Sequence, residues 1–188
     1  VFEGPAAGEE AGYSSSNFDD GKTLWLNFPD SFANAVQNSG FDLVTTATNH
    51  LLDRDISGAS RTLDILDGIG LEHIGSYRTA EEKQNSRIKL IDCDGLKIAV
   101  LAYTYGSNGY DIEELANGHL SYITSIISGT SGELFEAMRK SVEQDFADAK
   151  TLDPDLIVVL PHIGTQFSNF PDEEQNVWFD IFKQNGAD

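Results

Sequence analysis

The stretch Leu96-Lys97-Ile98-Ala99-Val100-Leu101-Ala102-Tyr103 decides the class of fold. From Ile98 to Ala102 every residue is apolar, which fits a central strand covered on both faces and not the alternation of a strand with one wet face. Just upstream, Arg87 to Asp92 reads as a second strand, and Cys93-Asp94-Gly95 supplies the tight turn of a hairpin. Downstream, Leu134, Phe135, Met138, Val142, Phe146 and Ala149 recur at helical spacing from Glu133 to Lys150. Asp153-Pro154 and the buried run Leu156-Ile157-Val158-Val159-Leu160 follow.

The same alternation extends to both sides. After Pro29, the residues Phe32, Ala35 and Val36 predict a helix closed by Gly40, and Phe41 to Ala47 predicts a buried strand. Ser57 is a candidate cap for a helix carrying Leu63, Ile65 and Leu66, which Gly68 and Gly70 end before a short strand from Leu71 to Ile74. A last helix starts near Pro171 and carries Val177, Trp178, Ile181 and Phe182. Helices alternating with buried strands give an α/β fold with a largely covered sheet, in a single domain over residues 1–188. Residues 6–23, rich in Gly, Ser, Ala and Asp, read as a flexible loop, and residues 106–131 as a long surface excursion.

Composition narrows the function. A chain of 188 residues is the size of one domain, and 40% apolar with 10% aromatic residues is enough for an ordinary core. Twelve Lys and Arg stand against 31 Asp and Glu, a formal charge of −19 that should repel nucleic acid and anionic lipid. Cys93, the single cysteine, makes no intrachain disulfide and lacks the paired spacing of a zinc ribbon. There is no phosphate-binding loop, no dinucleotide fingerprint and no nucleophile elbow. Asp92-Cys93-Asp94-Gly95 resembles the start of a calcium loop, but the later ligands do not follow.

Ligands in open α/β sheets gather outside the carboxyl ends of the strands, so the residues that leave each buried run matter most. One run exits into Thr48-Asn49-His50, one into Tyr103-Thr104-Tyr105-Gly106, and one into Pro161-His162-Ile163-Gly164. Imidazole and amide oxygen suit a borderline divalent metal, and a second imidazole nearby suits proton donation to a leaving group, so these exits point to metal-assisted hydrolysis. Each residue also has a plainer reading. Asn49 suits a turn, His50 a surface position, and His162 a hydrogen-bonded place at the core edge; Tyr103 and Tyr105 suit packing, and His73 and His119 carry no pattern.

The ordered set Glu3-Gly4-Pro5, Gly40-Phe41-Asp42, Thr48-Asn49-His50-Leu51-Leu52-Asp53, Tyr103-Thr104-Tyr105-Gly106-Ser107-Asn108-Gly109, Pro161-His162-Ile163-Gly164-Thr165-Gln166 and Gly186-Ala187-Asp188 resembles the CapA-like family. These are bacterial poly-γ-glutamate capsule biosynthesis proteins related to calcineurin-like metallophosphatases. The resemblance implies a metallophosphatase-like four-layer α/β/β/α sandwich, incomplete at both ends, because the family's opening and closing motifs would lie before Val1 and after Asp188. It implies Glu3, Asn49 and His162 as metal ligands, His50 as general acid, and Asp53 as the residue orienting His50. Two divalent ions, manganese, iron or zinc, would activate water against a phosphoryl or acyl centre in the full-length protein.

With three ligands in total where two ions would need about three each, the 188-residue chain alone is expected to bind metal poorly, to be inactive, and to pair its open edges as a homodimer. The resemblance further implies a cell-surface location, an anchor outside this chain, and an anionic polymer or a small phosphoester as substrate. Gln166 stands where the family often has Glu, which favours an alternative: a non-catalytic extracellular lipoprotein-like binding or assembly factor whose metal site has decayed.

Overall fold

A computed structural model describes residues 1–14 and 24–188. The quoted stretch lies in β4 (Leu96–Thr104), the middle strand of a three-stranded sheet. β3 (Lys89–Cys93) pairs with it antiparallel, with Cys93 opposite Leu96, as the Asp-Gly turn requires. β5 (Leu156–His162) pairs with it parallel, from Ile98 opposite Leu156 to Thr104 opposite His162. A second sheet joins β1 (Leu43–Thr45) and β2 (Glu72–Ile74) in parallel, through the crossover helix α2 (Asp55–Ile69). The chain at Phe2 lies along the other side of β1, its N–H donating to the Thr45 carbonyl at 2.8 Å.

Alternate residues of β4 explain the continuous apolar run. Ala99, Leu101 and Tyr103 belong to one core with Phe135, Met138, Val142 and Phe146 of α5 (Glu133–Thr151) and Trp178 and Phe182 of α6 (Glu173–Asn185). Val100 and Ala102 face the opposite way, into a smaller core with Ala47 and Ile74 between the two sheets. Beyond the second sheet, Phe2, Val44, Leu66 and Leu71 pack with Ala33 of α1 (Asp30–Asn38). The layers therefore run helices, sheet, sheet, helices, the α/β/β/α order expected from the resemblance. Gly75, at φ +107°, lets the sheets meet: a β-carbon there would stand 2.7 Å from the Ala47 β-carbon.

Several local expectations shift. The strand expected from Phe41 is shorter, because Phe41 is exposed and only Leu43 to Thr45 pair. α2 starts at Asp55, so Ser57 lies inside it and caps nothing. Two further helices, α3 (Ala80–Ser86), capped by Thr79, and α4 (Ile112–Ala116), capped by Asp111, fall where no element was expected.

The loop expected over 6–23 holds structure in its described part, for Ala6 is fully buried and its N–H donates to Thr62 Oγ1 at 2.8 Å. Asn27 fixes residues 7–12 by accepting from the Ala7 N–H and donating to the Gly8 and Gly12 carbonyls. Residues 15–23 of that expectation lie outside the described residues.

The surface excursion expected over 106–131 is instead part of the core. Leu115, Leu120, Ile123, Ile126 and Ile127 are buried, and the chain stitches the sheets together at their ends. Tyr77 N–H donates to the Ile123 carbonyl, Thr104 N–H to the Ser125 carbonyl, and Ile127 N–H to the Thr104 carbonyl, each at 3.0 Å.

Candidate functional site

The residues that leave β1 of one sheet and the parallel strands β4 and β5 of the other meet at one place. Beyond β1 the chain turns at Thr48, which is fully buried. Its hydroxyl donates to the Glu3 carbonyl at 2.6 Å and accepts from the His50 N–H at 3.2 Å, so one side chain ties the Glu3 segment to the Asn49-His50 turn. Beyond β4, Ser107 and Asn108 close over the same turn. The Asn108 N–H donates to the Asn49 carbonyl at 2.7 Å, and the Ser107 hydroxyl donates to that carbonyl at 3.3 Å and accepts from Leu52 N–H at 3.2 Å. Beyond β5, His162 is held by its pairing with Thr104 and by its carbonyl accepting from Tyr105 N–H at 3.0 Å.

These placements bring all five expected residues together, in two linked groups. His162 Nε2 lies 2.8 Å from Asn49 Oδ1 and 3.5 Å from Glu3 Oε1. His50 Nδ1 lies 2.6 Å from Asp53 Oδ2, which also accepts from Leu26 N–H at 2.6 Å. Asn108 joins the groups, because its Oδ1 accepts from Asn49 Nδ2 at 3.2 Å while its Nδ2 lies 3.4 Å from His50 Nδ1. The Tyr105 ring stacks beside His162 at 6.1 Å, tilted by 10°. The cluster opens on a cavity of about 1070 Å³ lined by Glu3, Asn49, His50, Tyr105, Asn108 and His162, with Phe170 exposed on its rim.

The two imidazoles are pushed in opposite directions. The hydrogen bond to Asp53 raises the His50 pKa above its ordinary value; burial opposes this, and the charges of Asp53 and Glu3 add to it. Burial lowers the His162 pKa, and the neighbouring charge of Glu3 opposes this only in part. One ring is therefore biased toward the proton-carrying form and the other toward the neutral form with a lone pair to give, the pattern by which paired groups divide acid and ligand roles.

The donors that face one another are one carboxylate, one amide oxygen and one imidazole nitrogen, a mixture suited to a borderline divalent ion. Among the described residues no three His, Cys, Asp or Glu side chains are grouped so as to hold a metal, so the converging set is Glu3 and His162 with the Asn49 amide. Tyr103 is a core residue as read from sequence, whereas Tyr105 stands at the cavity. Asn108 and Ser107 escaped the sequence reading. Their signal was their position just past a buried strand, the same cue that marked Asn49 and His162.

A four-layer α/β/β/α sandwich with an Asn-His pair at a strand exit defines the class as metallophosphatase-like. Within that class, the model of the bacterial capsule synthesis protein PGA_cap matches residues 2–188, and the chain belongs to this family. It is 23% identical over 167 residues to the capsule biosynthesis protein CapA of Bacillus anthracis, across 89% of this chain and 38% of that relative. The chain thus spans well under half the length of the curated relative it matches.

Proposed function

We propose that this chain forms the phosphoesterase-type site of a protein of bacterial capsule, poly-γ-glutamate, synthesis. The observation that carries the reading is the meeting of Glu3, Asn49, His162 and His50 on the wall of one large cavity, with Asp53 buried behind His50. The donor set fits a divalent cation. Asn49 Oδ1 and Glu3 Oε1 lie 2.8 and 3.5 Å from His162 Nε2, close enough together for one ion to reach all three, and burial favours the neutral imidazole that a metal ligand must be.

Glu3, Asn49 and His162 would hold the ion, which when bound supplies positive charge for a phosphoryl or acyl oxygen and acidifies water. The chain's own residues do the rest. Asp53 accepts the Nδ1 proton of His50 and so sets the tautomer and the ring angle, leaving Nε2 to deliver a proton to the leaving group. Leu26 N–H shares Asp53 Oδ2 and keeps that carboxylate in place. Tyr105 limits the swing of His162 by stacking on it.

With a formal charge of −19, the chain itself disfavours long-range attraction of an anionic polymer, so the cation would supply the local field that binds one. Among the described residues no helix is long and apolar enough to cross a membrane. A cell-surface place and an anchor belong to the same proposal and rest on the family resemblance, whereas a homodimer is proposed only for the 188-residue chain, through its open sheet edges.

A second reading, a non-catalytic binding or assembly factor, draws on the small donor set, in which, among the described residues, Glu3 is the carboxylate paired with His162. Elemental analysis of the whole protein separates the two. Bound manganese, iron or zinc that disappears in Asn49→Ala and His162→Ala supports the enzyme. Hydrolysis of a phosphodiester falling by about 10²–10⁴ in His50→Ala completes that result. A protein without metal, or one whose metal survives both substitutions, removes the catalytic reading.

A further inference from the structure

We propose that Asn108 is a positioning residue that fixes which end of the Asn49 side chain faces the cation; the inference rests on the metal reading of this site. A carboxamide has an oxygen that can bind a metal and an NH₂ that cannot, and the two ends exchange by rotation about one single bond. Asn49 is therefore a ligand only while something selects its orientation. In the structure two contacts do so, His162 Nε2 facing Oδ1 at 2.8 Å and Asn108 Oδ1 accepting from Nδ2 at 3.2 Å.

These contacts are not equivalent once a cation arrives. His162 Nε2 faces the amide oxygen only while no cation stands between them, because a nitrogen that coordinates has no proton to give to that oxygen. Its preference is gone at the moment of binding. Asn108 lies at the other end of the amide, where its Oδ1 accepts from Asn49 Nδ2 by a contact that does not involve His162. A reversed Asn49 would set its NH₂ against the cation and its oxygen against Asn108 Oδ1, a repulsion at both ends. Asn108 also grips the main chain of the same residue, its N–H donating to the Asn49 carbonyl at 2.7 Å, so it follows Asn49 if the turn moves. Asn49 is almost fully buried, so bulk water does not replace this contact.

The test uses Mn²⁺ titration of the whole protein, rather than the 188-residue chain alone, by calorimetry, with thermal melting alongside. Asn108→Ala keeps the backbone N–H and loses only the amide, and it is expected to weaken Mn²⁺ binding by about 10- to 100-fold, the effect typical of residues that orient metal ligands. In an Asn49→Asp background both terminal atoms are oxygens and orientation no longer matters. There, Asn108→Ala is expected to change Mn²⁺ affinity by less than about twofold, because the orienting contribution is gone. Asn108→Asp keeps an oxygen to accept from Asn49 Nδ2 and is expected to bind Mn²⁺ at least about as tightly as the unsubstituted protein, which separates lost orientation from a damaged fold.

Equal Mn²⁺ affinity for the unsubstituted protein and Asn108→Ala overturns the inference and leaves the metal site standing. A loss that persists in the Asn49→Asp background overturns it too, since the role of Asn108 would then be general support. An unsubstituted protein that takes no Mn²⁺, Fe²⁺ or Zn²⁺ overturns the metal reading and the inference together.

Discussion

Two clusters of polar side chains in this molecule are finished in opposite ways. Under the segment 106–131, Lys83 Nζ donates to the Ser121 carbonyl at 2.7 Å and to the Thr124 carbonyl at 2.5 Å. Arg87 Nε donates to Asp145 Oδ1 at 2.7 Å, a second Arg87 nitrogen pairs with Asp148, and the Tyr103 hydroxyl donates to Asp145 Oδ2 at 3.0 Å. Both oxygens of Asp145 are taken, and all the named donors point inward. At the strand ends, by contrast, Glu3, Asn49, His50 and His162 turn toward a cavity of about 1070 Å³. A polar group whose partners are all protein holds the fold, whereas one that faces open space is ready for a ligand.

The sharpest way to break this distinction is to cut one residue from each cluster. Asp145→Ala removes one of the two carboxylates that pair with Arg87, the negative charge beside Lys83 and the acceptor of the Tyr103 hydroxyl, at an expected cost of about 3–5 kcal/mol in unfolding free energy. His162→Ala removes a side chain whose contacts face the cavity and is expected to cost less than about 1 kcal/mol. Urea denaturation of both variants checks the order. Comparable losses would mean that the strand-end cluster is itself a structural knot.

A pH series sharpens the same contrast. Burial pulls the Lys83 ammonium from the ordinary 10.5 down to about 8, with Asp145 opposing the shift and Arg87 adding to it. Between those values the unfolded chain holds a proton that the folded chain has released, so this contribution makes stability rise with pH from about 8 to about 10.5. At about 1.4 kcal/mol per pH unit, the rise amounts to about 3 kcal/mol. Lys83→Met is expected to flatten that part of the profile. Urea midpoints at pH 7.5 and pH 10 in both proteins measure it, and an equal rise in the variant would assign the slope to other groups.

The sequence exposes the strand-end cluster better than the knot, for a physical reason. A buried parallel strand must be apolar along its length, so the runs 98–102 and 156–160 announce themselves, and whatever follows them lies at the ligand-binding side. Asn49, His50 and His162 are legible by that rule alone, although the roles proposed for them came with the family resemblance. Asn108 obeys the same rule but sits in Gly106-Ser107-Asn108-Gly109, a composition that otherwise means a turn.

The knot has no such rule. Lys83 stands in the polar stretch 80–86 and Arg87 at the start of an expected strand, and neither position announces the contacts made by Ser121, Thr124 and Asp145. Leu115, Leu120, Ile123, Ile126 and Ile127 follow neither helical nor strand spacing, because irregular backbone stitched to Tyr77 and Thr104 carries most of them inward. Likewise Glu3 reaches the site through Thr48, 45 positions away, a pairing that no local pattern encodes.

The smallest expected effect tests the comparison from the other side. All four histidines stand next to a carboxylate: His50 by Asp53, His73 by Asp67, His119 by Glu114 and His162 by Glu3. If the His–carboxylate pairing itself made a site, all four would matter. His119 is the cleanest control, because its side chain is 80% exposed and its pairing with Glu114 lies in open solvent, away from the strand ends. Solvent screens such a pair and ordering two mobile side chains offsets most of its attraction. His119→Ala is therefore expected to move unfolding free energy by no more than about 0.5 kcal/mol and to leave metal content and phosphodiester hydrolysis unchanged. A loss of metal or activity in this variant would show that the acidic surface as a whole, and not the walls of the cavity, governs the cation. A silent His119 beside a sensitive His162 would place the difference in what each ring faces, one the bulk solvent and the other the cavity beyond the strand ends.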